Sequence, residues 1–408
     1  MNRRDFFLAS AASVAAASLP LATSPAAAAD LDSLKKIRIT KVTGFRHVCP
    51  RPKLVGKNSH KDVHGRETSD NVLRIATDQG IEGIGHGSVN QEAARKLIGL
   101  TLADCWKPGI GVVSPLGRSD HALYDLVGKA LGVPAWKLLG GAGPEWVPVY
   151  DGSIYFNDIL PEYEGKGVAR ILEEVEMGLA AGHKAFKIKV GRGHKWMEAR
   201  AGFQRDVEVV QSIRKLVGKE VKLMVDGNNG FGLDGTKRWL DAVGDDLFFV
   251  EEMFPEVVSQ DLDLKDYLRG KGWKTLVADG ESASEVRHFD QYIEQDALDV
   301  LQPDIRALGL TLQWELSRKA AAKPSIKLAP HNWGSHLGLY MQLVLARGIP
   351  NFLMAEEDRS TSDLFDSSGF VMKEGKMSVP DTPGCGLILR EEVFRKKYQD
   401  AAWSVGER

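Results

Sequence analysis

Between residues 37 and 86 apolar and polar side chains alternate, and the alternation predicts strands over 37–43, 72–77 and 82–86. The turn residues Asp78, Gln79 and Gly80 join the last two. A polar segment over 50–70, carrying His60, Lys61, His64 and Arg66, interrupts that pattern. Helical period begins at Gln91, and over 120–141 it predicts an amphipathic helix that stops at Gly140 and Gly141. From residue 147 the rhythm changes. Short apolar runs ending in polar residues recur at 147–150, 185–189, 222–226, 248–251, 275–279, 300–304, 326–331 and 352–356. Helix-period segments lie between them, for example at 168–181, 207–217, 262–269 and 310–322. Eight strands alternating with helices, about 25 to 30 residues apart, predict an α/β fold of the (β/α)8, TIM-barrel type. An open doubly wound sheet is the weaker alternative, because no G-x-G-x-x-G run follows a strand.

Composition narrows function by exclusion. The 408 residues are 43% hydrophobic and 26% charged, with 53 basic and 55 acidic side chains and a net charge of −2. That balance suits a globular chain and argues against a nucleic-acid partner, which calls for a basic bias. No interior stretch is long and apolar enough to span a bilayer, so no stable membrane association is expected once a leader is removed. Cys49, Cys105 and Cys385 are too few and too scattered for a disulfide framework or a zinc site; buried small hydrophobes are the expected role. Residues 1–29 read as a separate object. Arg3 and Arg4 lead an apolar run that ends at Ala27, Ala28 and Ala29, the order of a twin-arginine export signal with its cleavage site. The mature chain is therefore expected in the periplasm.

In such barrels catalytic groups sit at the C-terminal ends of the strands. Read in order, those ends carry Lys187 and Lys189, Asp226, Glu251, Glu281, Asp304, His331 and Glu356. One charged strand end marks a solvated loop; seven in succession mark a charged interior mouth. Period-2 alternation sets Lys187 and Lys189 on one face, opposite Phe186, Ile188 and Val190. With the apolar face against helices, both lysines point inward, where repulsion and burial are expected to lower their pKa and make Lys189 a base. An edge strand with a solvated basic face is the other reading. Asp226, Glu251 and Glu281 fall on adjacent strands, and three carboxylates facing one space repel unless a cation lies among them. An all-oxygen donor set suits Mg2+ rather than zinc. Singly, each acid is more commonly a helix N-cap or first-turn residue than a metal ligand. Asp304 and His331 end neighbouring strands, where a carboxylate fixes an imidazole's tautomer and raises its pKa.

These residues in this order resemble the enolase superfamily, in particular its mandelate racemase subgroup, over nearly all of the chain after residue 29. Residues 120–141 are similar to the end of that family's capping domain, and Lys187-Ile188-Lys189 to its K-x-K base motif. Asp226-Gly227-Asn228, Glu251-Glu252 and Gly280-Glu281 are similar to its metal-ligand strands, and Asp304 with His331 to its dyad. Glu356 stands where the family places an acid near the substrate carboxylate. The resemblance implies a modified, enolase-like barrel over 147–375 and an α+β capping domain over 30–146 with a lid over 50–70. The segment 376–408 is expected to pack on the cap. The resemblance also implies Mg2+, a small-molecule carboxylate substrate and α-proton abstraction to an enediolate. Lys189, tuned by Lys187, would work one face; His331, oriented by Asp304, would work the other; a protonated Glu356 would hydrogen-bond the substrate. A homo-oligomer is expected on the same ground. Glu252, Asp279 and Glu357 lie close enough in sequence to replace their neighbours if strand register shifts. The polar lid suits a hydroxylated acid, so dehydration of an acid sugar to a 2-keto-3-deoxy acid is the leading expectation. A racemase or epimerase of a 2-hydroxy acid comes next. The alternative from outside enzymology is a periplasmic solute-binding protein, which would fold as two lobes around a hinge.

Overall fold

A computed structural model describes residues 31–407, and the expected export signal lies outside the described residues. β1 (Ile39–Val55), β2 (Gly65–Thr77) and β3 (Glu82–His86) form an antiparallel sheet that Trp403–Gly406 completes on the far side of β1. The polar segment over 50–70 does not interrupt the strands as its composition suggested. β1 and β2 run on through it, paired from Ile39 with Thr77 to Val55 with Gly65, leaving only residues 56–64 as a tip. The reason lies in which face is covered. From Phe45 to Lys53 every second residue of β1 is buried, and those positions include His47, Arg51 and Lys53. A strand whose inward face is polar shows no hydrophobic alternation, although its backbone pairs like any other.

The helix predicted over 120–141 is two: α1 (His121–Ala130) and α2 (Ala135–Leu138), broken at Gly132, whose φ of +66° turns the chain out of α1 before Pro134 caps α2. Asp125 of α1 ties three parts together. Its Oδ2 accepts from the Ile84 N–H at 2.8 Å and its Oδ1 from the Cys385 N–H at 2.8 Å. The cysteines are all free and buried.

The barrel is present and closed. β4 (Trp146–Ile154), β5 (Ala185–Lys189), β6 (Lys222–Asp226), β7 (Phe249–Glu251), β8 (Leu276–Asp279), β9 (Val300–Leu301), β10 (Lys327–Leu328) and β11 (Ala355–Glu357) lie parallel in chain order. β11 pairs back onto β4, and a bridge from Leu328 to Phe352 joins β10 to the approach of β11. Neither an open sheet nor a two-lobed hinge describes the chain. The surrounding helices are α3 (Val168–Ala180), α4 (Ala199–Val217), α5 (Leu233–Val243), α6 (Val258–Gly270), α7 (Asp290–Gln295), α8 (Ile305–Ala320) and α9 (His336–Gly348). Alternation sorts the strand residues. Phe186, Ile188, Leu223, Val225 and Val250 join the large apolar core shared with the helices. Tyr150, Ala185, Met224, Phe249, Ala278, Val300, Ala329 and Met354 form a separate plug inside the barrel. Two residues further along the same inward faces come Lys187, Asp226 and Glu251.

Candidate active site

Strand register sets Lys189 beside Asp226, and Asp226 beside Glu251. Glu281 arrives differently, two residues past the end of β8. Gly280 has φ +115°, and a Cβ there would stand 2.5 Å from the Phe289 ring, so only glycine allows the turn that leads into Glu281. One carboxylate oxygen from each of Asp226, Glu251 and Glu281 lies within 4.8 Å of the others, which no other trio of His, Cys, Asp or Glu does among the described residues. Three hard oxygen donors fit Mg2+, an ion that completes its shell with water and other oxygen ligands.

The lysines face these acids. Lys187 Nζ lies 2.6 Å from Glu251 Oε1, 2.9 Å from Glu356 Oε1 and 3.5 Å from Asp226 Oδ2, whereas Lys189 Nζ pairs, among the described residues, with Asp226 alone. Their pKa values depart from expectation. Burial pushes both ammonium groups down, but the carboxylates around them outweigh it and hold both above the usual lysine value. Glu356 departs as well. Burial pushes it up, yet Lys187 and His331 hold it below its ordinary value, so it stands as a carboxylate and not as the neutral acid expected. Its Oε2 accepts the Asn332 N–H at 2.7 Å. Gly152 makes room for its other oxygen, which a Cβ at that position would meet at 2.5 Å.

Asp304 and His331 come together from neighbouring strand ends. Asp304 Oδ2 lies 2.9 Å from His331 Nδ1, while its Oδ1 accepts from the Arg306 and Ala307 N–H groups and so caps α8. His331 Nε2 then points to Glu281, 3.1 Å away. Burial pushes the imidazole down, but Glu281 and Asp304 raise it to about 9.

The neighbouring acids turn elsewhere. Glu252 adopts φ +41°, and its Oε2 accepts from Asn228 Nδ2 at 3.1 Å. Asp279 lies one residue past inward-facing Ala278; its Oδ1 accepts the Gly280 N–H, and burial beside Glu256 and Glu252 pushes its pKa well up. Glu357 pairs with His183 Nε2 at 2.7 Å.

Sequence reasoning missed several groups around the mouth. Gln302 Nε2 donates to Glu251 Oε2 at 2.7 Å. Tyr155 and Trp333 stack with centroids 4.6 Å apart, and Lys189 Nζ sits 5.2 Å from the Tyr155 ring centre. His64 packs 4.8 Å from Tyr155 and takes the Trp333 Nε1–H on its Nδ1 at 3.1 Å. Arg51 lies over Trp333 and pairs with Asp358 at 3.1 Å. The loop at 191–196 packs beside the mouth, with Arg192 buried and His194 and Lys195 exposed. Arg192 is buried between Asp158 and Asp206, while Lys195 and Trp196 donate to the His60 and Asn58 carbonyls at the lid tip. Of this wall the sequence marked only His64, within the polar lid segment; Trp333 lies two residues past His331, and nothing local marks Tyr155.

Residues 170–393 match the family described as Enolase C-terminal domain-like. The chain belongs to the enolase superfamily. A solved structure of galacturonate dehydratase from Geobacillus sp., complexed with D-galacturonate and 5-keto-4-deoxy-D-galacturonate, is 32% identical to this superfamily member. It has a TM-score of 0.83 over 91% of this chain and 100% of that one. A mandelate racemase/muconate lactonizing protein from Geobacillus sp., complexed with magnesium/tartrate, is also 32% identical, with a TM-score of 0.84 over 91% and 98% of the two chains. Arabinonate dehydratase of Saccharolobus solfataricus is 28% identical over 290 residues, 70% of this chain and 72% of that protein.

Proposed function

We propose that this protein is a Mg2+-dependent acid-sugar dehydratase that converts a hydroxylated acid to a 2-keto-3-deoxy acid. The observation that carries the reading is the carboxylate trio of Asp226, Glu251 and Glu281, flanked by Lys189 on one side and the Asp304–His331 pair on the other. The dehydratase names of its relatives support it. Bound among those carboxylates, Mg2+ would act as a Lewis acid on the substrate carboxylate and hold the charge that develops there.

The chain's own residues supply the rest. Lys189 has one ionic partner, Asp226, which the metal would engage; freed of that charge, the neutral amine would take the α-proton at Nζ. Lys187, held by three carboxylates, stays charged beside it and favours negative charge in the mouth. His331 Nε2 delivers a proton to the β-hydroxyl oxygen as the C–O bond breaks, so that water leaves and an enol remains. Asp304 keeps the imidazole oriented throughout. The enol then takes up a proton at the β-carbon to give the keto acid. Lys189 and His331 on two sides equally serve epimerisation, which is the second reading.

A panel of aldonic, uronic and aldaric acids with Mg2+ in D2O, followed by NMR, separates these outcomes. Dehydration gives a 2-keto product. Deuterium exchange with inversion and no keto acid makes the protein an epimerase, and no exchange with any acid ends the proton-transfer reading. Export is also proposed, supported by the Arg3–Arg4 pair and the apolar run after it. Replacing both arginines by lysine should retain the protein in the cytoplasmic fraction.

A further inference from the structure

We infer that His64, at the base of the lid tip, reads the substrate through a fixed Nε2–H that donates to an acceptor oxygen of the sugar chain beside Lys189. The inference rests on the dehydratase reading of the site. It begins with Trp333. An indole N–H can only donate, so the His64 Nδ1 that lies 3.1 Å from it must accept. A neutral imidazole that accepts at Nδ1 carries its proton at Nε2. Burial, with the charges of Lys189 and Arg51 nearby, keeps the ring neutral by pushing its pKa down to about 3.

That Nε2 is covered from solvent and has no partner among the described residues. Buried donors are rarely left without an acceptor, and a ligand is one way such a group is satisfied. The ring is fixed around it. Tyr155 stands 4.8 Å away and Trp333 5.6 Å away, and the His64 backbone N–H donates to the Val55 carbonyl at 3.0 Å. The same Tyr155 ring carries Lys189 Nζ on its face. The donor and the proposed base therefore share one aromatic wall, which sets the donor toward a substrate whose α-carbon faces Lys189. A donor without charge selects for the presence of an oxygen. An acid lacking that oxygen leaves the N–H unpaired, and sites of this kind reject such analogues strongly.

The Mg2+-loaded full-length protein carries the test. With 15N-labelled histidine and no substrate, the His64 resonances, assigned by their loss in His64→Gln, should show the Nε2-protonated tautomer at pH 7. An Nδ1-protonated ring or an imidazolium overturns the inference. The acid that wild type dehydrates best is then compared with its deoxy analogues. His64→Phe keeps the ring and removes the donor, so kcat/KM for that acid should fall at least tenfold, mainly through KM, and its preference over one deoxy analogue should collapse. Mg2+ affinity should not move, and Tm should fall only slightly, by the loss of the acceptor for the Trp333 N–H. His64→Gln, which restores an amide N–H, should recover part of the loss. Should His64→Phe fail to fold, Trp333→Phe serves: it frees the tautomer, so both ring forms should appear in the spectrum and the preference should weaken. Unchanged kcat/KM and preference in the folded variants overturn the role of His64 while leaving the dehydratase reading intact. A wild type that dehydrates no acid overturns both.

Discussion

Lys189 meets one carboxylate where Lys187 meets three, and this difference divides their work. A lysine bound on several sides is a fixed positive charge; one bound on a single side becomes a base once that one carboxylate is engaged elsewhere. Lys189→Ala should therefore lower α-proton exchange by at least about 100-fold, the least that general-base catalysis contributes. It should leave intact the rise in Tm that Mg2+ produces, because Asp226, Glu251 and Glu281 remain. Exchange that persists in the variant would reassign the base. Asp304 has two tasks, orienting His331 and capping α8. Asparagine caps about as well as aspartate but cannot hold an imidazolium. Asp304→Asn should thus cut turnover by about 100-fold or more while shifting the urea midpoint little. Loss of activity only in step with loss of stability would mean that the cap is the whole of its role.

At the scale of elements, β1 is the strand that the pattern of the chain misrepresented. From His47 on, its inward face meets the chain past the last barrel strand and then the barrel wall, so it buries His47, Arg51 and Lys53 with partners supplied from distant elements. Lys53 pairs with Glu174 of α3 and donates to the Ser153 carbonyl past the middle of β4. That anchor joins the hairpin bearing the lid to the barrel wall. Glu174→Gln leaves Lys53 as a buried cation without its counter-ion, which costs about 3 kcal/mol or more. Urea denaturation of the variant should show that loss, and pairing it with Lys53→Met should recover most of it. A single variant as stable as wild type would mean that the lid does not depend on this ion pair.

Across the whole molecule, acid stability depends on histidines buried where cap, helix and sheet meet. His121 is fully buried in α1, its Nδ1 accepts the His86 N–H, and burial, with His86 nearby, depresses its pKa to about 3. A histidine depressed on folding adds stability that is complete above its unfolded value, near 6.5, and is lost as pH falls through the folded value. The stability difference between wild type and His121→Gln should therefore be largest above pH 6.5. It should narrow below that by at most about 1.4 kcal/mol per pH unit. Denaturation midpoints measured from pH 7.5 to 4.5 check the slope, and a constant difference would show that His121 does not titrate in this way.

The succession of strands and helices, and the chemistry at the strand ends, were determined by the sequence itself, because side-chain alternation and strand termini are local properties. β5 and β6 run over the residues that periodicity marked, and Lys187, Lys189 and Asp226 project inward as period 2 requires. Only the tertiary structure decided what surrounds those groups. The protonation of Lys187, Lys189 and Glu356 follows from which opposite charges the closed barrel brings within 3 Å or so of each other, and repulsion between neighbours in sequence says nothing of that. The lid arms, the Tyr155–Trp333 wall and the tautomer of His64 likewise depend on contacts between residues far apart in the chain, such as the 269 positions that separate His64 from Trp333. No local pattern records them.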